Sequence, residues 1–298
     1  MILCVDIGGT STKVGLVSRL GETQNVRSIA TRPDPETYFR RLADLIEGTL
    51  EPGIEQMGIA VAGFLDEART SLVYNSNLAW FEGFPLKQRL NERFPTMTIE
   101  LEVDSNAATM AEYQLGSGRG SSRFLCLASG TGLGVGMSIE GEPLRFSYGC
   151  LGDMGHVIVE REGPLCTCGG SGCAEILVSS ISLAAEYQRL TRRAGETTLR
   201  DVIQDAQAGR EEAISVLERA GEWLGVAAAS MANILFPDHI AIAGGLSAGG
   251  DLVLKPAERV FRESACLLAR SKASFTRATL GSMATLIGAA WPFWRKEN

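Results

Sequence analysis

The sequence predicts a two-lobed α/β protein, and three observations lead to that class. Apolar strand patterns alternate with helical ones along the whole chain. Three glycine turns, at Gly8-Gly9, Gly130-Thr131-Gly132 and Gly244-Gly245, each follow such a strand. A Gly/Ser-rich stretch, Gly116 to Ser122, has the composition of a connection between lobes.

Taken in order, Ile2 to Ile7 is an apolar run ending at Gly8-Gly9-Thr10, and Thr12 to Val17 resumes the strand pattern, so the two read as strands joined by a glycine turn. Between Pro35 and Leu50 the apolar positions Tyr38, Phe39, Leu42, Leu45, Ile46 and Leu50 recur every three or four residues, which predicts an amphipathic helix. Gly58 to Gly63 reads as a buried strand closed by glycine; a looser stretch holds Asn75, Asn77 and Trp80; Phe84 to Phe94 is helical. Thr98 to Val103 is a strand, and Asp104-Ser105-Asn106 opens the helix through Leu115. After the Gly/Ser connection come a strand at Phe124 to Ala128, the second glycine turn and a returning strand at Leu133 to Ile139, so the plan of the N-terminus is repeated without its sequence. Helices follow at about 180–192, 197–208 and 211–235, then the strand His239 to Ala243, a helix at about 251–270 and a last one over about 283–294. Lobes of 1–117 and 118–282 result, the first completed by the C-terminal segment 283–298 and the second carrying a cysteine-rich loop.

With 28 Lys+Arg against 35 Asp+Glu, the formal charge of −7 gives no electrostatic footprint for nucleic acid or an anionic membrane. No apolar run is as long as a membrane span, and the N-terminus enters a strand without a basic leader, so the expected location is the cytoplasm.

A turn such as Asp6-Ile7-Gly8-Gly9-Thr10 lets backbone N–H groups approach phosphate oxygens, with Lys13 nearby and Asp6 placed to hold hydrated Mg²⁺. An ordinary hairpin has the same composition; three such turns after three strands favour a shared nucleotide cleft between lobes. Neither the dinucleotide fingerprint nor the P-loop spacing is present. Three of seven cysteines, Cys166, Cys168 and Cys173, crowd into eight residues, and His156, one of two histidines, precedes them by ten. Three thiolates and one imidazole complete a tetrahedral zinc site of the closed, structural kind; the alternative is a set of buried or oxidisable thiols. Catalysis then falls to another group. Asp104, at a strand-to-helix boundary, suits a base accepting a hydroxyl proton during attack on phosphorus, although Asp there is also a common helix N-cap. Asp153 and Glu175 bracket the metal loop as hydroxyl ligands or as solvated charges.

Together these motifs resemble the ROK family (repressors, open reading frames, kinases) in the superfamily of sugar kinases and actin. Its zinc signature is matched by Gly155-His156 followed by Cys166-x-Cys168-Gly169-x-x-Gly172-Cys173-x-Glu175, and the likeness spans nearly the whole chain. The resemblance implies an actin-like ATPase (ribonuclease H-like) fold with a cleft between lobes. It also implies transfer of the γ-phosphoryl group of ATP to a sugar hydroxyl with Mg²⁺, Zn²⁺ as a structural ion, and a homodimer or homotetramer. On that likeness Asp104 is the base. Asp6, Gly8, Gly9, Thr10, Lys13, Thr131, Gly132, Gly244 and Gly245 face the nucleotide and its metal. Gly63, Asn77, Asp104, Asp153, His156 and Glu175 face the sugar.

Two departures bear on the acceptor. Where family members that take glucose or N-acetylated hexosamines usually carry Asn-Asp, this chain has Val103-Asp104, and the Glu of Gly-Glu-x-Gly-His is shortened to Asp153. Two hydroxyl contacts are thereby weakened, so glucose is not expected to be the best substrate; an epimer such as allose, an amino sugar or a cyclitol is expected instead. A non-catalytic, sugar-sensing regulator of the same family is the competing reading. The family's repressors carry a helix-turn-helix before the first phosphate turn, which here starts at Asp6, while the base and both phosphate turns are retained. The terminal aromatics Trp291, Phe293 and Trp294 either pack between subunits or cover the first lobe.

Overall fold

The computed structural model describes residues 1–32, 34–75 and 77–294. The chain divides into two compact units, one formed by Met1–Gly116, Gly141–Gly152 and the C-terminal segment from Met283, the other by Ser117–Glu140 and Asp153–Ser282.

In the first unit, β1 (Ile2–Ile7), β2 (Ser11–Val17) and β3 (Thr23–Ala30) form an antiparallel meander, and β4 (Gln56–Val61) and β7 (Thr98–Val103) extend it in parallel, in the order β3-β2-β1-β4-β7. A short hairpin, β5 (Phe64–Leu65) with β6 (Leu72–Tyr74), follows β4. Helix α1 (Pro35–Glu47) starts where Asp34 accepts the Thr37 N–H at 2.9 Å and Pro35 lies in the first turn, where no donor is needed. Its buried face is Tyr38, Phe39, Leu42, Ala43 and Ile46, and each large side chain contributes about 1.5–3 kcal/mol of burial. Helices α2 (Leu86–Arg93) and α3 (Asp104–Leu115) complete the sequence-predicted elements, α2 being shorter by two residues at its start and one at its end.

The terminal segment is two short helices, α10 (Ala284–Gly288) and α11 (Trp291–Trp294), where one helix was expected; Pro292 has no N–H with which to continue the ladder. Both belong to the first unit: a Cβ on Gly288 would lie 1.7 Å from the Ala107 carbonyl oxygen of α3. Trp291 and Phe293 are buried against this unit, so they are covering residues and not a free aromatic patch. Residues 295–298 of the predicted segment lie outside the described residues. The segment 141–152, with the short strand β10 (Glu142–Pro143), belongs to the first unit, whereas the sequence reading left it in the second. Arg145 and Gly149 explain the difference, because both bond to groups at the end of β7 and the start of α3.

The second unit repeats the plan: β8 (Arg123–Ser129) and β9 (Leu133–Ile139) are antiparallel around the second glycine turn, and β11 (His239–Gly244) and β12 (Ser274–Arg277) add in parallel, in the order β9-β8-β11-β12. Its helices are α4 (Ala174–Val178), α5 (Ser180–Thr191), α6 (Leu199–Gln207), α7 (Glu211–Leu235), α8 (Asp251–Ser264) and α9 (Leu267–Lys272). The expected helix over 251–270 is therefore broken at Ala265-Cys266, where the backbone turns extended and the Cys266 N–H bonds the Asn233 side chain instead of continuing a helix. Among the described residues no helix is long and apolar enough to cross a membrane.

Candidate active site

The three parallel strands of the first unit end together, and each delivers a predicted residue at its C-terminal edge: Gly8-Gly9 after β1, Gly63 after β4 and Asp104 after β7. Ligands of open parallel sheets bind at that edge. The first turn is tied down by the Gly8 N–H to the Ser11 carbonyl at 3.1 Å and by the Thr31 hydroxyl to the Gly8 carbonyl at 2.9 Å. Behind it Thr12 meets the buried Tyr38 hydroxyl at 2.6 Å. Gly9 must lack a Cβ, which would sit 2.9 Å from the Asn77 Cβ; the first turn and the predicted sugar residue Asn77 are therefore in contact. Gly63 has a φ of +108° and backs onto the Tyr74 carbonyl. Thr10 is exposed beside this turn.

Asp104 is the first residue of α3 and not its cap. Val103 holds the cap position without a side-chain bond, and Asp104 Oδ1 accepts the Ser105 N–H at 2.7 Å. Burial, reinforced by the nearby Asp6 carboxylate, lifts the Asp104 carboxyl from 3.8 to about 7. Burial also raises Asp6, opposed by Lys13, whose Nζ lies 3.2 Å from Asp6 Oδ2. Two neighbouring carboxylates, of which Asp6 is paired with Lys13, form a donor set that suits a hydrated divalent cation such as Mg²⁺.

A group the sequence did not reveal anchors this edge. Glu102 is 1% exposed, and its carboxylate accepts from Arg145 in a close contact, from Arg69 at 3.4 Å, from Asn106 Nδ2 at 2.9 Å and from the Val103 N–H at 3.0 Å. Asn106 Nδ2 also donates to the Gly149 carbonyl at 2.8 Å. The network fixes the peptide immediately before Asp104. In the alternation of β7 a charged residue reads as solvent-facing, and its partners are 33 and 43 residues away, so no local pattern announces it. Glu102→Ala is expected to cost about 3–5 kcal/mol by leaving two guanidinium groups half-buried without their carboxylate, read as a lowered midpoint in urea unfolding.

In the second unit, the second glycine turn is closed by the Gly130 N–H to the Gly132 carbonyl at 2.8 Å, leaving Thr131 exposed. Gly244 has a φ of +79° and presses against Ser129, since a Cβ there would lie 2.1 Å from the Ser129 carbonyl oxygen. Gly245 follows it against Leu199. The end of β11 is thus paired directly with the end of β8, the strand that leads into the second turn.

His156, Cys166, Cys168 and Cys173 bring their ligand atoms within 4.8 Å of one another. Zn–S bonds of about 2.3 Å and a Zn–N bond of about 2.0 Å give a tetrahedron with S···S edges near 3.8 Å and N···S edges near 3.5 Å. The observed Cys168–Cys173 separation is 3.6 Å and the Cys166–His156 Nδ1 separation 3.5 Å, so the four residues fit zinc. The loop's own order is short-range: bridges at Ile158–Cys173 and Leu165–Ser171, backbone bonds such as the Cys166 N–H to the Gly170 carbonyl at 2.7 Å and the Gly172 N–H to the Pro164 carbonyl at 2.9 Å, and a Gly172 whose Cβ would strike the Glu160 carbonyl. With Nδ1 turned to the thiols, His156 presents Nε2 to Asp153 Oδ2 at 3.5 Å and Glu175 Oε1 at 3.8 Å. Glu175 Oε2 accepts the Leu133 N–H at 2.9 Å and would lie only 2.4 Å from a Cβ on Gly132. One carboxylate therefore joins the metal loop to the second glycine turn.

The fold, the paired glycine turns and this cluster define an actin-like ATPase of the sugar kinase type. The ROK family matches residues 2–296, and the chain belongs to that family. It is 31% identical to a glucokinase from Halalkalibacterium halodurans over 99% of this chain and 95% of that protein. It is 30% identical to an N-acetylmannosamine kinase from Shigella boydii over 74% of this chain and 75% of that one. A ROK family glucokinase from Streptomyces griseus, solved with glucose and AMPPNP, superposes with a TM-score of 0.85 at 29% identity, covering 98% of both chains.

Proposed function

We propose that this chain transfers the γ-phosphoryl group of ATP to a hydroxyl of a hexose, hexosamine or related polyol, with Asp104 as general base. The observation that carries the reading is a carboxyl lifted to about 7 at the edge where the parallel strands end, beside Asp6 and a glycine turn. Asp104 takes the hydroxyl proton as the sugar oxygen bonds to phosphorus and the bridging oxygen leaves with ADP. In the first unit Gly8, Gly9, Thr10 and Lys13 contact phosphate, and Gly63 and Asn77 line the acceptor. In the second, Thr131, Gly132, Gly244 and Gly245 contact the nucleotide, while Asp153, His156 Nε2 and Glu175 receive sugar hydroxyls. Mg²⁺, when bound near Asp6, supplies charge neutralisation on the phosphates, and Zn²⁺ holds the loop that presents His156 and Glu175. The same reading includes a cytoplasmic homodimer or homotetramer, which sedimentation velocity measures.

Val103 is buried beside the base, where it offers no hydrogen bond to a sugar. Glucose is accordingly not the best acceptor, and Val103→Asn is expected to raise kcat/KM for glucose about tenfold or more relative to wild type. An ADP-release screen over hexoses, N-acetylhexosamines, cyclitols and disaccharides tests the function; wild-type turnover highest on glucose contradicts the acceptor assignment, and no ADP release that depends on any of these sugars contradicts the function.

A further inference from the structure

Beyond Gly63 the strand edge carries a feature that hydroxyl recognition leaves unused. Phe64 of β5 pairs across the hairpin with Tyr74 of β6, their ring centroids 6.2 Å apart. Tyr148 comes from the segment 141–152 and meets Phe64 edge-on at 6.3 Å. Tyr74 and Tyr148 are each 50% exposed, so the three rings form a row whose two ends are open to solvent on the first unit. Such a row is costly to leave in water unless something covers it.

Its position ties it to the acceptor side. Val61 of β4 is paired with Val103 of β7, so Phe64 follows three residues after the position that flanks Asp104. Tyr148 precedes Gly149, whose absent Cβ would lie 3.6 Å from Val103 Cγ2. Tyr148 itself is held in the left-handed region, at φ 58° and ψ 27°, an unusual conformation for a bulky residue that persists only when the surroundings demand it. Its N–H points to Glu67 Oε1 at 3.5 Å, and the Gly149 carbonyl is fixed by Asn106. The loop that presents the ring is thus anchored to the helix that begins with the base.

We infer that Phe64, Tyr74 and Tyr148 form a second sugar subsite, so that the acceptor hexose is one ring of a disaccharide and not a free monosaccharide. This rests on the kinase reading above. An N-acyl group needs one small closed pocket; two half-exposed tyrosines either side of Phe64, one tilted and one edge-on to it, instead offer separate apolar surfaces to the C–H face of a pyranose ring beside the reacting one. Buried, apolar Val103 agrees, because binding lost from a hydroxyl contact on the first ring is replaced by stacking on the second.

The test is a kinetic comparison of maltose, cellobiose, lactose and melibiose with glucose and galactose, using ATP, in wild type, Phe64→Ala, Tyr148→Ala and Tyr148→Phe. In wild type, at least one disaccharide is expected to exceed its constituent monosaccharides in kcat/KM by about tenfold. Phe64→Ala and Tyr148→Ala are expected to bring that ratio near one, and Tyr148→Phe to preserve it, since stacking does not need the hydroxyl. Turnover of monosaccharides in preference to every disaccharide, or a ratio indifferent to the alanine substitutions, overturns the subsite while leaving the kinase reading intact. Absence of ADP release with every sugar overturns both.

Discussion

Asp104→Asn is expected to reduce kcat by about 10²–10⁴ while making the protein harder to unfold. The two effects have one cause. Burial and the Asp6 carboxylate hold the Asp104 carboxyl at about 7 in place of 3.8, so its charged form is disfavoured in the folded chain. The sign follows from linkage: the folded state binds the proton more tightly than the unfolded one, so this carboxyl's contribution to stability is fully present below about pH 4, is lost as pH rises, and levels off above about pH 7. An amide carries no such penalty. The gain from Asp104→Asn should be largest at pH 8, a rise in Tm of roughly 2–8 °C, and should shrink by more than half at pH 5. Catalysis runs the other way: the base must be unprotonated, so wild-type kcat/KM should climb with pH to a plateau above about 7. A substitution that lowered both activity and stability would identify Asp104 as a structural residue.

Replacing one cysteine of the metal loop is the second large effect. Cys173→Ser should reduce zinc from about one ion per chain to a small fraction and cost about 4–5 kcal/mol, roughly 10 °C in Tm. The loop between Val157 and Cys173 is held by short-range backbone bonds and isolated bridges while its apolar Ile158 and Leu165 are exposed, so four bonds to zinc are expected to supply much of its order. Loss of zinc should also disturb sugar binding, because His156 Nδ1 faces the thiols while Nε2 faces Asp153 and Glu175. KM for the sugar should therefore rise more than KM for ATP. Zinc determination by inductively coupled plasma spectrometry, with limited proteolysis across residues 157–173, reads both consequences. Full activity in a zinc-free protein would show that the loop orders itself.

Features whose chemistry is local were legible before the structure. The cysteine spacing, the strand-to-glycine turns and the 3.6-residue period of α1 each declare themselves within a dozen residues, and α7 spans Glu211–Leu235 as its pattern implied. The repeated strand plan was also readable, because both copies place a Gly turn between an apolar strand and its antiparallel partner. What escaped was non-local or unpatterned. The strand β3, Thr23–Ala30, is an exposed edge with little apolar alternation, and β12 has four residues. The assignment of 141–152 to the first unit depends on Arg145 and Gly149 finding Glu102 and Asn106, a pairing that no spacing encodes. The aromatic row likewise joins residues 64, 74 and 148 through a hairpin and a returning segment. Asp104 stands between these cases: its residue type and strand-end position suggested a base or a cap, and only the fold shows Val103 in the cap position and Asp6 beside it.

The most direct test of the account is transfer of radiolabelled γ-phosphoryl from ATP by wild type and Asp104→Asn in parallel, across mono- and disaccharides with Mg²⁺. Label is expected in a sugar phosphate only when a suitable sugar is present, at a rate that falls by about 10² or more in the variant. Label appearing as inorganic phosphate regardless of sugar, or passing to sugar equally well without the carboxylate, would contradict it.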